Sequence, residues 1–181
     1  HTFYVLGMPT LDKTFVYDLD EKAWYEWTSY YSAAEHCYAI KAATLFNGTT
    51  YSVHRTSGAI YELDVNTYMD DSVAIYWRVV TVLVDGGTTR RKLYKYGEVV
   101  GDKVSGTMYI SHTGDDYVTY STARTVSLSA VRPILYQLGT DRRRAYMFLV
   151  TDNIPLRLVA FELNVEGAEL EGDPQLSGGS N

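Results

Sequence analysis

Along most of the chain, apolar residues alternate with polar ones or gather in short runs, and each run is cut off by Gly, Pro, Asn or Asp. That period and that punctuation belong to β-strands joined by turns. Phe3 to Leu6 is the first run, broken by Gly7, Pro9 and Asp12. Thr14 to Asp18 is the second, ended by Asp20, Glu21 and Lys22, and Trp24 to Trp27 is the third. Ala39 to Phe46 fits helix or strand by composition, but Asn47-Gly48 follows it directly. Both central residues of a type I′ hairpin turn need positive φ, which this pair supplies. We therefore read Ala39 to Phe46 as a strand that returns through Thr49 to Val53. Ser57-Gly58 then turns the chain into Ala59 to Asp64.

The second half carries longer runs. Ile75 to Val84 is rich in β-branched residues and is turned by Asp85-Gly86-Gly87. Leu93 to Val100, Gly106 to Ser111 and Tyr117 to Ser121 follow, the last two joined as a hairpin through Thr113 to Asp116. Arg124 to Val131, Pro133 to Leu138, Ala145 to Thr151 and Leu156 to Asn164 complete the set. No stretch shows the apolar spacing of an amphipathic helix of ten or more residues. Turn signals spaced by about 8–12 residues predict a sandwich, a barrel or a propeller.

An internal repeat narrows the first half. Val16-Tyr17-Asp18-Leu19-Asp20 aligns with Ile60-Tyr61-Glu62-Leu63-Asp64 at an offset of 44, and each is preceded by a further aromatic strand. A period of about 40–50 residues with four strands per unit is the pattern of propeller blades. A single blade has two apolar faces and buries them only by stacking on its neighbours. The fold expected is all-β. Partial β-propeller blades occupy 1–74, an antiparallel β-sandwich-like domain 75–165, and a flexible tail 166–181.

Composition then removes several function classes. The 181 residues carry 16 Lys+Arg against 22 Asp+Glu, a net charge of −6, which argues against nucleic-acid binding by the whole surface. One cysteine, Cys37, excludes an internal disulfide framework and any multi-cysteine zinc site. No apolar run approaches the ~20 residues of a membrane span, so no membrane anchor is expected. Tyrosine is over-represented, at 17 against 5 Phe and 3 Trp, and suits half-buried pleated surfaces and wet protein contacts.

Few residues invite chemistry. Cys37 adjoins His36, and His54 lies one strand away, but a small buried cysteine is the simpler reading. His1, His36, His54 and His112 follow no metal-ligand spacing. The acidic turns Asp18/Asp20/Glu21, Asp70/Asp71 and Asp115/Asp116 lack the EF-hand pattern and match ordinary turn chemistry. We expect no catalytic residue, no metal and no cofactor. Two basic clusters do stand out on the acidic background, Arg90-Arg91-Lys92 and Arg142-Arg143-Arg144. Each reads either as solvated loop charge, the second balanced in part by Asp141 and Asp152, or as contact with phosphate or an acidic partner. In the aromatic stretch Trp24 to Tyr31, Trp24 and Trp27 face opposite ways if the segment is a strand, and serve either blade packing or glycan contact.

These residues together resemble a known family. Phe3 to Leu6 with Pro9, Thr14 to Asp18, Trp24 and Glu26 are similar to a blade of the packaged-DNA stabilisation proteins of short-tailed bacteriophages. The likeness runs through Phe46-Asn47-Gly48, Tyr51, Ser57 to Asp64, Tyr68 and Asp70. It resumes at Leu138-Gly139, Arg142 to Arg144, Phe148, Thr151 and Pro155-Leu156. His54-Arg55 stands where the family has Gly-Asp, and Tyr136 where it has a tryptophan. The resemblance implies a virion structural protein, made in the host cytoplasm and carried in the tail. It would form a ring below the portal and adaptor rings, touch the tail needle or fibre, and help retain packaged DNA. Arg90, Arg91, Lys92 and Arg142 to Arg144 would then lie at an interface or along the DNA channel. The start at His1, directly in a strand-like run with no initiator Met or signal peptide, leads us to expect a fragment holding the last propeller strands and the C-terminal β-domain. The alternative is a carbohydrate-binding β-module of a host-recognition or glycan-active protein, with Trp24 or Trp27 exposed beside a groove.

Overall fold

The computed structural model describes residues 2–32, 34–64 and 66–167. Among them the fold is all-β, the only helical turn being a 3-10 turn at Pro9–Leu11. No helix of these residues is long and apolar enough to cross a membrane. The described residues form two compact units, one within 2–77 together with Val150–Pro155, the other from Arg78–Leu149 and 156–167.

The first unit is built of small antiparallel sheets. β1 (Phe3–Met8), β2 (Lys13–Asp18) and β3 (Ala23–Glu26) form one, and β4 (Thr28–Tyr31) and β5 (Ala34–Cys37) another. β6 (Ile40–Phe46), β7 (Thr49–His54) and β8 (Ile60–Glu62) form a third, and β9 (Met69–Asp70) and β10 (Val73–Ala74) a fourth. The β6–β7 turn is the two-residue Asn47-Gly48 connection expected, with φ of 49° and 82°. Gly7 does not break its run but stays in the ladder opposite Thr14, so β1 ends later, at Met8.

The internal repeat extends to hydrogen-bond register. β1 pairs with β2 as Phe3↔Asp18, Tyr4↔Tyr17 and Val5↔Val16. β7 pairs with β8 as Tyr51↔Glu62, Ser52↔Tyr61 and Val53↔Ile60. Both pairs close in the same way, Leu19 N–H donating to the Thr2 carbonyl and Leu63 N–H to the Thr50 carbonyl. The strand ends 44 residues apart thus take the same pairing register, although their partner strands are 48 residues apart and the first hairpin has the longer connection.

Side chains tie the sheets of this unit to one another. Asp12 accepts from the Cys37 N–H at 2.8 Å and contacts His36 Nδ1 at 2.9 Å. The Tyr38 N–H donates to Thr14 Oγ1, and the Ser29 hydroxyl donates to Asp70. Val16, Thr14 and Ser52 are fully buried, so the centre is small and partly polar. Many apolar side chains remain outside it. Leu45 and Phe46 are each 71% exposed and Ile60 69%.

The second unit is a seven-stranded, sandwich-like pair of sheets among the described residues. One sheet has the order β11 (Trp77–Val80), β16 (Ala145–Val150), β13 (Thr107–Thr113), β14 (Arg124–Ser127). The other has β15 (Ile134–Asp141), β12 (Lys92–Gly101), β17 (Leu158–Gly167). Phe161 of β17 meets Phe148 and Tyr146 of β16 at ring distances of 5.1 and 5.0 Å, which locates the core between the sheets. β12 turns first Lys92 and Tyr94 inward, then Gly97 and Val99. That switch of parity requires a bulge, and the register shifts between Tyr94 and Tyr96.

Three sequence expectations are corrected here. Ile75 to Val84 is not one long strand: only Trp77–Val80 joins the ladder, and Val84 makes an isolated bridge to Arg144. The Thr81 hydroxyl accepts the Tyr146 N–H, a side chain replacing a ladder bond. Tyr117 to Ser121 is not a strand, because Asp116 and Tyr117 take φ of 59° and 68° and Asp115 gathers Thr113 and Thr119 around its carboxylate. Glu166 belongs to no tail: it and Gly167 close β17, opposite Leu93 and Lys92. The rest of the expected tail, 168–181, lies outside the described residues, as does His1.

Candidate functional site

The two basic clusters, far apart in sequence, meet at one end of the second unit. Period-two alternation puts Lys92 on the same side of β12 as Tyr94, facing in, and the side chain is buried. Its ammonium donates to three carbonyls, those of Thr88 (2.7 Å), Arg90 (3.1 Å) and Arg142 (2.6 Å). One cation therefore clasps the turn before β12 to the turn between β15 and β16. Three carbonyl acceptors match the three donors of an ammonium, which is how a lysine can be buried without a carboxylate.

Arg144 is the second buried cation. Its Nη1 donates to the Leu138 carbonyl at 2.7 Å, and Nε and Nη2 donate to Asp141 at 3.3 and 3.0 Å. The guanidinium lies 4.2 Å from the centre of the Tyr94 ring. Gln137 and Gly139 on either side of Leu138 take φ of 57° and 81°, a bulge that frees the Leu138 carbonyl from the ladder. The Leu138-Gly139 pair and the arginine triplet are thus parts of one construction. Burial pushes the Tyr146 hydroxyl up to about 12, against the pull of the nearby Arg144 charge. Burial also raises Tyr94, again opposed by Arg144.

The remaining arginines face solvent. Arg143 pairs with Asp116. Arg90, Arg91 and Arg142 are exposed, and among the described residues no carboxylate pairs with them. The six basic residues named from sequence are therefore brought together but divide by role. Lys92 and Arg144 hold the turns, Arg143 is neutralised, and Arg90, Arg91 and Arg142 present unpaired charge. Sequence reasoning missed the burial of Lys92, although its alternation with Tyr94 carried the signal. Nothing in the sequence marks Asp116 as the partner of Arg143.

The other candidates separate. Trp24 is 57% exposed and its ring lies 5.0 Å from Tyr17, whereas Trp27 packs edge-on between Phe3 and Tyr38. Trp27 lies just past the end of β3. His36 is held by Asp12 and stacked on Tyr31, and His54 Nδ1 accepts from the Thr56 and Ser57 N–H groups. Among the described residues neither ring hydrogen-bonds to the Cys37 thiol, which burial and the Asp12 carboxylate push up, away from the reactive thiolate. Each acidic turn is engaged by protein donors, some local and some distant in sequence. Asp18 accepts from the Asp20 and Glu21 N–H groups, and Asp71 accepts from the Tyr61 hydroxyl. Among the described residues no three His, Cys, Asp or Glu side chains converge on a metal position. No family model and no curated protein matches the chain.

Proposed function

We propose that the protein is a non-enzymatic structural component of a short-tailed phage tail, a hub below the portal and adaptor rings that works through protein–protein interfaces and helps retain and channel packaged DNA. The observation that carries this reading is the repeated hairpin of the first unit, β1–β2 and β7–β8 in one register, with apolar side chains left outside. In this reading the hairpins belong to propeller blades, and Leu45, Phe46 and Ile60 are surfaces that neighbouring blades or subunits cover. The aromatic-acidic strand ends and the Leu138-Gly139/Arg144 unit are the same residues on which the family resemblance rests. Antibody raised against the chain should label the tail-bearing vertex of particles made from the encoding genome. Particles that lack the protein altogether would overturn the proposal.

One observation favours a second reading, a carbohydrate-binding β-module. Tyr4, Tyr17 and Trp24 stand opposite one another across β1, β2 and β3, giving an aromatic row on one sheet face. Sugar rings stack on such rows. Quenching of tryptophan fluorescence by a glycan, lost in Trp24→Ala, would support it, and a glycan array without hits would dispose of it.

A further inference from the structure

We infer that Tyr30 and Tyr76 form an oxidative cross-linking site, at which a small one-electron oxidant joins the two rings as dityrosine and staples β4 to the chain that follows β10. This modification is independent of the functional reading above. Its basis is the geometry of the pair. The ring centres lie 4.1 Å apart and the ring planes meet at 20°. Aromatic pairs usually settle further apart, at about 4.5–7 Å. The two hydroxyls are neighbours as well, since interaction with the Tyr30 hydroxyl, ahead of burial and the Glu35 charge, pushes the Tyr76 hydroxyl up. Rings stacked with their hydroxyls on the same side bring their ortho carbons face to face. Those carbons carry much of the unpaired spin in a tyrosyl radical. Tyr96 and Tyr136, by contrast, lie 6.0 Å apart with planes tilted by 52°.

The surroundings suit the same reaction. Both rings are half-buried, which admits a small oxidant. Glu35 stands opposite Tyr30 in the β4–β5 ladder and acts on the Tyr76 hydroxyl, so a carboxylate is at hand to take a phenolic proton. The Ser29 hydroxyl donates to Asp70 at 2.9 Å and anchors β4 to β9, one residue from Tyr30. Tyr76 itself lies between β10 and β11, outside both strands, so its backbone can follow the ring as the gap closes. Each phenol gives one electron to the oxidant and its hydroxyl proton to Glu35 or water. The two radicals then form one bond between ortho carbons. The hydrogens on those carbons move to the oxygens, which restores both phenols. Two electrons and two protons leave in all, and the oxidant takes the electrons. The new bond closes the chain from Tyr30 to Tyr76 into a covalent loop, which restricts the unfolded chain more than the folded one.

The test is photo-oxidation of the full chain by tris(bipyridyl)ruthenium, with persulfate as the final electron acceptor. Blue dityrosine emission should appear. Proteolysis should release a linked peptide pair lighter by two hydrogens than its parts, with the link placed at Tyr30 and Tyr76 by fragmentation. Tyr30→Phe and Tyr76→Phe should each abolish that pair with unchanged circular dichroism, and Tyr96→Phe should leave its yield as in the parent. The stapled chain should unfold at a higher temperature than the untreated one. Three outcomes overturn the inference: no Tyr30–Tyr76 pair in the oxidised parent, an equal yield of that pair from chain oxidised in urea, or links from Tyr30 to other tyrosines as abundant as the link to Tyr76. All three are read on the parent sequence, so the test stands even where a variant fails to fold.

Discussion

The Lys92 ammonium and the Arg142 carbonyl oxygen lie 2.6 Å apart across fifty positions of sequence. This bond makes Lys92 a structural residue although it belongs to a basic run. Lys92→Met keeps the apolar stem and removes all three donors, leaving the Thr88, Arg90 and Arg142 carbonyls without their partner. The expected cost is about 1–3 kcal/mol. Urea denaturation should show a lower midpoint at unchanged slope, and Lys95→Met, at an exposed site, should show no such shift.

Arg144 is expected to be the most sensitive basic residue. Removing it leaves Asp141 and the Leu138 carbonyl without the cation that bridges them. Arg144 is buried but the Asp141 carboxylate is partly exposed, so water offsets part of the loss and the cost should fall below the ~3–5 kcal/mol of a fully buried pair. Arg144→Lys should recover little, since one ammonium cannot copy the fork that reaches the carbonyl and the carboxylate while lying on Tyr94. In a double-mutant cycle Asp141→Asn should be markedly milder on the Arg144→Ala background than on the parent. Additive losses would show that the two residues act separately.

Which parts of this molecule could be read from its sequence follows from how local each cause is. The Asn47-Gly48 turn was legible because its requirement, positive φ at two successive residues, is written in those two residues. The repeat was legible because a hairpin register follows from the spacing of its own strands. The division of the basic residues was not. Whether Arg143 meets Asp116, or Lys92 meets Arg142, depends on β12, β13, β15 and β16 coming together, and each partner is distant in sequence. The segment Tyr117 to Ser121 has good strand composition and failed as a strand because the Asp115 carboxylate outcompetes the ladder for local N–H and O–H donors.

Gly97 makes room on β12 for an aromatic ring from β17, the next strand of the same sheet. A Cβ at this position would lie 2.2 Å from Cζ of Phe161, on the neighbouring strand. Gly97→Ala should therefore destabilise by about 1–3 kcal/mol through overpacking. Phe161→Leu, which withdraws the ring, is itself costly in the parent because it empties core next to Phe148 and Tyr146. On the Gly97→Ala background it should cost much less, or restore stability. Thermal denaturation of the four proteins of this cycle measures the coupling, and a value of zero would mean that the ring moves aside freely.

The acid response of the 113–121 loop follows from Asp115. Hydrogen bonds from Thr119, hydroxyl and N–H, and from the Thr113 hydroxyl hold its carboxyl at about 2, below the usual 3.8. The folded protein binds this proton less readily than the unfolded chain does. Its contribution to stability is accordingly complete above the ordinary carboxylate value and is lost as the pH falls from there through about 2. Thr119→Val removes the hydroxyl donor and should return the carboxyl towards its ordinary value. A carbon-detected NMR titration of the Asp115 side chain should show the midpoint move up. The N–H of Ser121, which donates to the His112 carbonyl at 2.9 Å, should lose protection from hydrogen exchange at a higher pH in the variant than in the parent. Identical midpoints would mean that the Thr119 hydroxyl does not hold the Asp115 carboxyl down in solution.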